Sequence, residues 1–578
     1  MRSRAGAISG GAILLFLVLA AHQAAKPLHL DNMDFPAVAE ATAQSGKPLY
    51  YRGEENKIHS GLYHPPLYIY LLAGWFRLFG SGPAQARMFG ALCTLLQGCL
   101  ALRILGCLSG DERVRKWRWL FWPLFLLNPY TLQVSAITDI DSTIYGPLLI
   151  LVLWAVVRIG WRDGRWRVDE PRWWEEALVA LALTAALWAK LTTVFLLFPF
   201  LFLFLAPRLG WKRAVAVTAA ISAAGVGGFL LTYRLYGVLT GLDVGYTFEF
   251  LRASFLGPGR LLSFPSNFKV MAPFMLWWTG LLPWVSVSVT LAAAAHRWWR
   301  DRDRRALYYF WLLSLAAASV VYYCGQVRTF GDAPFKYTFV FWSLLTSAPA
   351  LLAAWLWETD GAKDAETARE LRPPAVALAV AGVLLAGLWL GAGVVRDVLL
   401  RHGWVYPQAL ALWVPAGVAL AGLIAWTAGR RSLRSLGAGL VAGALLLHVG
   451  IQAGIAAYQS RVEYSTTYNY GQSGLQETAA FIRARTAEQE IISSMKDVGF
   501  LAKRRYYENY GALYDDASAA RLIEAWEAGR VSYIVFTEGI GQDGLAIKPA
   551  LRDWVARNAD LVASFGNYRI YQPKVQKH

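Results

Sequence analysis

Long apolar runs recur through the first 459 residues, and short clusters of Lys and Arg lie between them. A helix needs about 20 apolar residues to cross a bilayer, and no single soluble core can absorb so many such runs. With 56% hydrophobic and only 16% charged residues in 578, the chain is read as a polytopic α-helical membrane protein. The net charge of +17 would suggest nucleic acid as a partner of a soluble chain. Here the basic residues sit in the loops between apolar runs, as the positive-inside rule requires, so the charge reports topology and no nucleic-acid partner is expected. Cys93, Cys99, Cys107 and Cys324 fall in or at the edge of apolar segments, which leaves no evident disulfide framework or thiolate zinc site.

The first run, AISGGAILLFLVLAAHQAA after MRSR, could be a cleaved signal or a retained span; an anchor with a cytoplasmic N-terminus is favoured. PLYIYLLAGWFRLFG (66–80) is short and contains Arg77. If it crossed, the basic loop 111–118 would face outside, so it is placed along the outer interface. Further spans are expected near 84–108, 119–135, 142–158, 175–190, 193–206, 214–235, 271–295, 306–324, 337–357, 373–395, 407–428 and 435–458, about 13 with the first. The pair 175–190 and 193–206 could instead be one long tilted helix. In this arrangement the basic loops face the cytoplasm. The segment 30–83, the turn at Asp139–Asp141, the Lys190 turn, the loops 236–269 and 326–336, and the C-terminus face outside.

From residue 460 the composition turns polar, and a small α/β domain is expected over 460–578 beside a membrane domain of 1–459. Ser473 and Gln476 resemble a capping box, EIISSM a buried strand, DDASAARLIEAWEAG a capped helix, and VSYIVFTE a strand. Pro549 opens a helix before a closing strand pair in LVASFGNYRIYQ. The domain has no Gly-rich phosphate loop and no nucleophile elbow, so its plainest role is that of a lid or cap over the outer face.

Segment 30–83 concentrates the chemistry. Asp31 and Asp34 follow the first apolar run and precede Arg52, His59, Tyr63, His64 and a Pro-Pro pair. Acids against a bilayer face are costly unless they have a task. Asp139-Ile140-Asp141 spells a D-x-D motif, which holds metal-bound diphosphates in nucleotide-sugar enzymes; its outer placement separates it from cytoplasmic nucleotide sugars. The alternative for these two acids is a cap on the span beginning near Ser142. For Lys190 and Arg52 it is an anchor snorkelling to head groups. Asp31, Asp141, His59 and His64 could form a divalent-metal site, although loop histidines more often only hydrogen-bond; no cofactor is otherwise required.

The run from Asp31 to Leu92, with an acid after the first span, A-V-A-E-A, H-P-P-L-Y-I-Y-L, F-R-L-F-G and A-R-M-F-G-A-L, resembles the lipid-linked-sugar glycosyltransferases of the GT-C fold. The nearest likeness is to the bacterial aminoarabinose-to-lipid-A transferases and the protein O-mannosyltransferases. TDIDSTIYGPLLIL, WAKLTTVFLLFPF and FKYTFVFWSLLTSAPALL resemble that family's later outer-loop acid, Ala-Lys turn and basic-Tyr run, in the same order. The family has Asp-Glu in the first loop where this chain has Asp31-Asn32, with Asp34 two further on, so either acid could be the base; alignment on Phe35 favours Asp31.

The resemblance implies an inverting transfer of a sugar from a polyprenyl-phosphate donor to a lipid, protein or glycan acceptor, at the extracytoplasmic face of the bacterial inner membrane. Such a reaction needs a base for the acceptor's proton and cations for the departing phosphate. Asp31 or Asp34, with Asp141, would serve as catalytic acids. Lys190, Lys336, Arg52 and Tyr337 would hold the donor phosphate, and Asp139, His64 and Tyr63 would orient substrate. An oligosaccharide transferase or polymerase of the same fold is the alternative. A transporter is the more distant one, since it predicts inverted repeats and midplane charges that the chain lacks.

Overall fold

The computed structural model describes residues 2–24, 31–48, 62–167, 171–255, 264–326, 333–352, 410–427, 431–461, 474–509, 516–538 and 548–574. Among them, six helices are long and apolar enough to cross a membrane: Ala5–Ala24, Pro83–Ser109, Asp141–Gly160, Trp211–Thr240, Arg304–Gln326 and Leu436–Ala457. The chain is an integral membrane protein. The expected span at 373–395 lies outside the described residues.

Several expected spans are broken, each for a local reason. The run 119–135 divides into Asp111–Leu126 and Pro129–Ser135. Asn128 accepts from the Tyr130 N–H at 2.9 Å and Pro129 occupies the first turn, so the chain restarts as a new helix. The run 271–295 divides into Phe264–Thr279 and Leu282–Asp301 at Gly280, whose φ is 74°. A Cβ there would lie 2.7 Å from His448 Cε1, so both conformation and space demand glycine. Trp173–Ala189 ends at the extended Lys190 before Thr193–Leu196 and Leu197–Leu209, which makes two helices of the 175–206 pair. The span expected at 214–235 is the 30-residue helix Trp211–Thr240, about 45 Å long and longer than the hydrocarbon core. The run expected to start a span at 337 opens instead as the short turns Ala333–Thr338 and Phe339–Phe341. Leu67–Phe79 has 13 residues, about 20 Å of helix, less than the hydrocarbon thickness.

Among the described residues, three of the basic segments meet in space. A hairpin of β1 (Trp161–Arg162) and β2 (Arg165–Trp166) tucks its Gly164 N–H onto the Cys107 carbonyl at 2.9 Å, and Arg305 donates to the Gly164 carbonyl at 2.7 Å. Tyr309 also bonds Ser109. His64, the Asp139–Asp141 turn, Lys190 and Lys336 gather elsewhere, as described below.

Beyond Arg461 the chain forms a five-stranded sheet of β3 (Ile491–Ser494), β4 (Arg505–Glu508), β5 (Ile534–Thr537), β6 (Ala559–Phe565) and β7 (Tyr568–Pro573) in the order β4-β3-β5-β7-β6. β3 runs parallel to β4 and β5, while β7 is antiparallel to β5 and β6. The helix Leu475–Arg485 has Gly474 at its N-cap with no side-chain cap bond, and Ser473 of the expected capping box lies outside the described residues. The helix Lys496–Ala502 and strand β4 were not anticipated. Strand alternation buries both sheet faces. Ile492, Tyr506, Val535 and Ile570 join the apolar cluster that runs on into the membrane helices. Their neighbours Tyr507, Ile534 and Phe536 join a second cluster with Leu522, Trp526 and Leu551.

Candidate functional site

The turn after Pro129–Ser135 builds the acidic half of the site. Ser142 Oγ donates to the carbonyl of Ile137 at 2.6 Å, Thr143 Oγ1 donates to that of Asp139 at 2.6 Å, and the Asp141 N–H donates to Asp139 Oδ1 at 3.2 Å. Asp141 then opens a π-helical turn, Asp141–Tyr145, that feeds the helix Gly146–Gly160. Asp139 thus closes a local turn onto the Asp141 N–H while Ile140 is the N-cap, and its second oxygen is left for a longer-range partner. Gly90 lets the helix Pro83–Ser109 approach this region, since a Cβ there would lie 2.4 Å from the Ser135 carbonyl oxygen.

The basic half comes from two distant breaks in the bundle. Lys336 Nζ donates to Asp139 Oδ2 at 2.9 Å, and Lys190 Nζ pairs with Asp141 Oδ2. All four side chains are at most 10% exposed. Asp141 Oδ1 is buried and has no hydrogen-bond partner among the described residues. The Tyr337 ring lies beside both ammoniums, with centroid distances of 4.5 Å to Lys190 Nζ and 5.4 Å to Lys336 Nζ. Tyr323 stacks on Tyr337 at 5.4 Å.

Tyr145 holds the Lys190 turn: its hydroxyl donates to the Lys190 carbonyl at 3.0 Å and accepts from the Val194 N–H at 3.1 Å. Gln97 holds the Lys336 turn by donating to the carbonyls of Phe339 and Val340 at 3.1 and 3.2 Å. Arg87, 2% exposed, donates to the Gln23, Ala24 and Ala136 carbonyls, tying the end of the first helix to the segment before Asp139. These supporting groups were not singled out from sequence. Tyr145 sits one helical turn after Asp141, and Arg87 is a guanidinium within an apolar helix; both were available signals.

His64, half-buried, stands close enough to sense the site. Burial first, and then the Lys190 ammonium, push it down to about 3, with Lys336 acting the same way and Asp139 opposing. Burial works against ionisation of Asp139, but Lys336 and Lys190 outweigh it and hold the carboxyl below the usual carboxylate range. Phe35 stacks on His64 with ring centroids 6.3 Å apart. Phe35 lies one helical turn after Asp31 and one residue after Asp34 on the helix Asp31–Ser45, so the start of that helix stands beside the site. The side chains of Asp31 and Asp34 are outside the described residues, as are Arg52 and His59. Tyr63 pairs with Tyr246 at 5.2 Å. Among the described residues no group of three His, Cys, Asp or Glu could hold a metal ion, and Asp139 and Asp141 each already face an ammonium.

The His64 shift predicts acid instability with a defined sign. The folded pKa is below the unfolded value of about 6.5, so the unfolded state takes up the proton and stability falls as pH drops from about 6.5 toward 3. Asp139 contributes only below about pH 4, where the unfolded carboxylate protonates. The thermal stability of the detergent-solubilised protein is therefore expected to fall between about pH 6.5 and 4.5, and His64→Gln should flatten that interval. An unchanged slope in the variant would remove His64 as its source.

The fold is shared with solved structures of an ArnT and of an archaeal oligosaccharyltransferase. ArnT from Cupriavidus metallidurans bound to undecaprenyl phosphate matches with a TM-score of 0.57 at 15% identity, covering 98% of both chains. Its apo form matches at 0.52 and 14%, over 98% of this chain and 96% of that one. The archaeal oligosaccharyltransferase AglB from Archaeoglobus fulgidus, in complex with an inhibitory peptide and a dolichol-phosphate, matches at 0.50 and 12%, over 92% of this chain and 69% of its own. No family model and no curated protein matches the sequence. At these identities the likeness is one of fold.

Proposed function

We propose that this protein transfers a sugar from a polyprenyl-phosphate donor to an acceptor at the extracytoplasmic membrane face, with inversion. The observation that carries the reading is the pair of buried lysines flanking Tyr337 at two helix breaks, within reach of two buried carboxylates and beside the helix that bears Asp31 and Asp34. Two fixed ammoniums suit a phosphate whose charge grows as the sugar–phosphate bond breaks. Asp31, or Asp34, takes the acceptor's proton as its oxygen attacks the anomeric carbon from the face opposite the phosphate. Lys190 and Lys336 hold the departing phosphate, Tyr337 keeps the two ammoniums apart, and neutral His64 with Tyr63 orients the sugar. Arg52 adds a third phosphate contact. A divalent ion on Asp31, Asp141, His59 and His64 would help neutralise the donor, and a chelator that leaves transfer intact would remove it from the reaction.

The direct test is mass spectrometry of membrane lipids, glycoproteins and surface glycans from cells with and without the gene. Loss of a single-sugar modification supports this reading. Loss of whole oligosaccharide chains moves the assignment to an oligosaccharide transferase, and no difference in any glycan removes the transferase reading.

The proposed side of the membrane rests on the positive-inside bias and on three of the basic segments meeting one another. In a variant lacking the four native cysteines, Glu488→Cys is expected to react with an impermeant thiol reagent in intact cells. Arg165→Cys should react only after permeabilisation. The opposite pattern would invert the topology.

A further inference from the structure

The C-terminal domain is fastened to the helix that carries the first-loop acids. Glu40, on Asp31–Ser45, is 3% exposed, and its Oε1 accepts from Ser81 Oγ at 2.6 Å and from Lys503 Nζ at 2.5 Å. Lys503 closes the helix Lys496–Ala502 in the left-handed conformation, with φ 58°, and its ammonium lies 4.4 Å from the centroid of the buried Phe500 ring. That conformation fixes where the lysine side chain leaves the backbone. Ala37 and Val38 on one side and Val498 and Phe500 on the other belong to one apolar cluster, so the charged contact sits on a packed seam.

The helix Asp31–Ser45 is therefore held at two places. Near its C-terminal end, Lys503 and Ser81 grip Glu40, and Arg77 Nε donates to the Ala43 carbonyl at 2.8 Å. Near its start, Phe35 rests on His64. Glu40 follows Asp31 by nine residues of one helix, about 13 Å along the axis with Pro36 between them, so a shift at Glu40 reaches the acids through that helix.

We propose that Lys503, Glu40 and Ser81 form a positioning contact through which the C-terminal domain sets how the Asp31–Asp34 end of this helix meets the Lys190–Lys336 site. The inference rests on the reading of that end as the source of the base. Lys503 touches no reacting atom; it acts through Glu40. A buried carboxylate that loses its ammonium must find another partner or move toward water, and the helix moves with it.

The test uses the full chain in nanodiscs, comparing wild type, Lys503→Met and Lys503→Arg by amide hydrogen exchange. Stabilisation by undecaprenyl phosphate and release of sugar from a radiolabelled polyprenyl-phosphate hexose are measured alongside. In Lys503→Met, exchange over residues 31–45 is expected to rise about tenfold, the size of one lost charge-assisted hydrogen bond, while strands β3 and β4 exchange as before. Sugar release at saturating donor should fall by a similar factor, stabilisation by undecaprenyl phosphate should be unchanged, and Lys503→Arg should restore both exchange and release. Unchanged exchange over 31–45, equal loosening of β3 and β4, or faster exchange with undiminished release would each overturn the proposal. If wild type neither releases sugar nor is stabilised by undecaprenyl phosphate, the transferase reading fails, and the exchange data still decide whether the contact holds the helix.

Discussion

Asp31→Asn is expected to slow sugar transfer by on the order of 10²–10⁴-fold, the range for loss of a general base. The variant should stay folded and keep its stabilisation by prenyl phosphate, because Asn matches Asp in shape but cannot accept the acceptor's proton. Asp34→Asn is the companion measurement, since the two acids stand three residues apart at the start of one helix. The expected pattern is a large loss for Asp31→Asn and a small one for Asp34→Asn. The reverse pattern moves the base by three residues. Wild-type transfer by both variants would place the base outside this helix, with Asp141, whose Oδ1 has no hydrogen-bond partner among the described residues, next in line. The readout is the initial rate at saturating donor, so that altered binding does not masquerade as altered chemistry.

Legibility followed the length scale of the physics. Apolar runs and basic clusters are local signals, and they yield the spans that survive intact, such as Pro83–Ser109 and Arg304–Gln326. Breaks inside apolar runs depend on tertiary partners. Asn128-Pro129 could have been read as a restart, but Gly280 is a break whose necessity is visible only with His448 packed against it. The site shows the same division. Motifs at span ends point to Asp139, Asp141, Lys190, Lys336 and Tyr337, the first outer loop points to His64, and the fold brings them together. Their pairing across 49 and 197 residues of sequence was not readable, because it depends on how the helix breaks stack in space. Tyr145 and Gln97, which hold the two lysine turns by backbone carbonyls, looked like ordinary span residues.

The buried ion pairs also constrain how a donor can bind. Each lysine proposed to take phosphate already has a carboxylate on it, so an incoming phosphate must displace or share that partner. Within a low-dielectric site the exchange replaces a carboxylate by a phosphodiester of the same single charge, which gains a second charge as the sugar–phosphate bond breaks, and the displaced carboxylate becomes available to accept a hydrogen bond from substrate. Asp139 and Asp141 on this view hold the lysines in place before the donor arrives, and a bound phosphate then takes over as the ammoniums' counter-ion.

Lys190→Ala is accordingly expected to be the most damaging change on the basic side, for two separable reasons. Phosphate charge is present in the bound donor and grows in the transition state, so binding and rate should fall together, with kcat/KM down by roughly 10²–10³-fold. The same change strips the Asp141 carboxylate of its ammonium and leaves it buried and unpaired, a loss of about 3–5 kcal/mol in such pairs. The double variant Lys190→Met/Asp141→Asn removes both charges and should recover most of the stability without recovering transfer. Asp141→Asn alone supplies the opposite sign: with the competing carboxylate gone, Lys190 should bind undecaprenyl phosphate more tightly than wild type. Thermal shifts against undecaprenyl phosphate concentration measure the affinity, and initial rates measure the transfer. If Asp141→Asn weakens phosphate binding, the carboxylate is not a competitor for the ammonium; if the double variant transfers sugar at the wild-type rate, Lys190 holds Asp141 and nothing more.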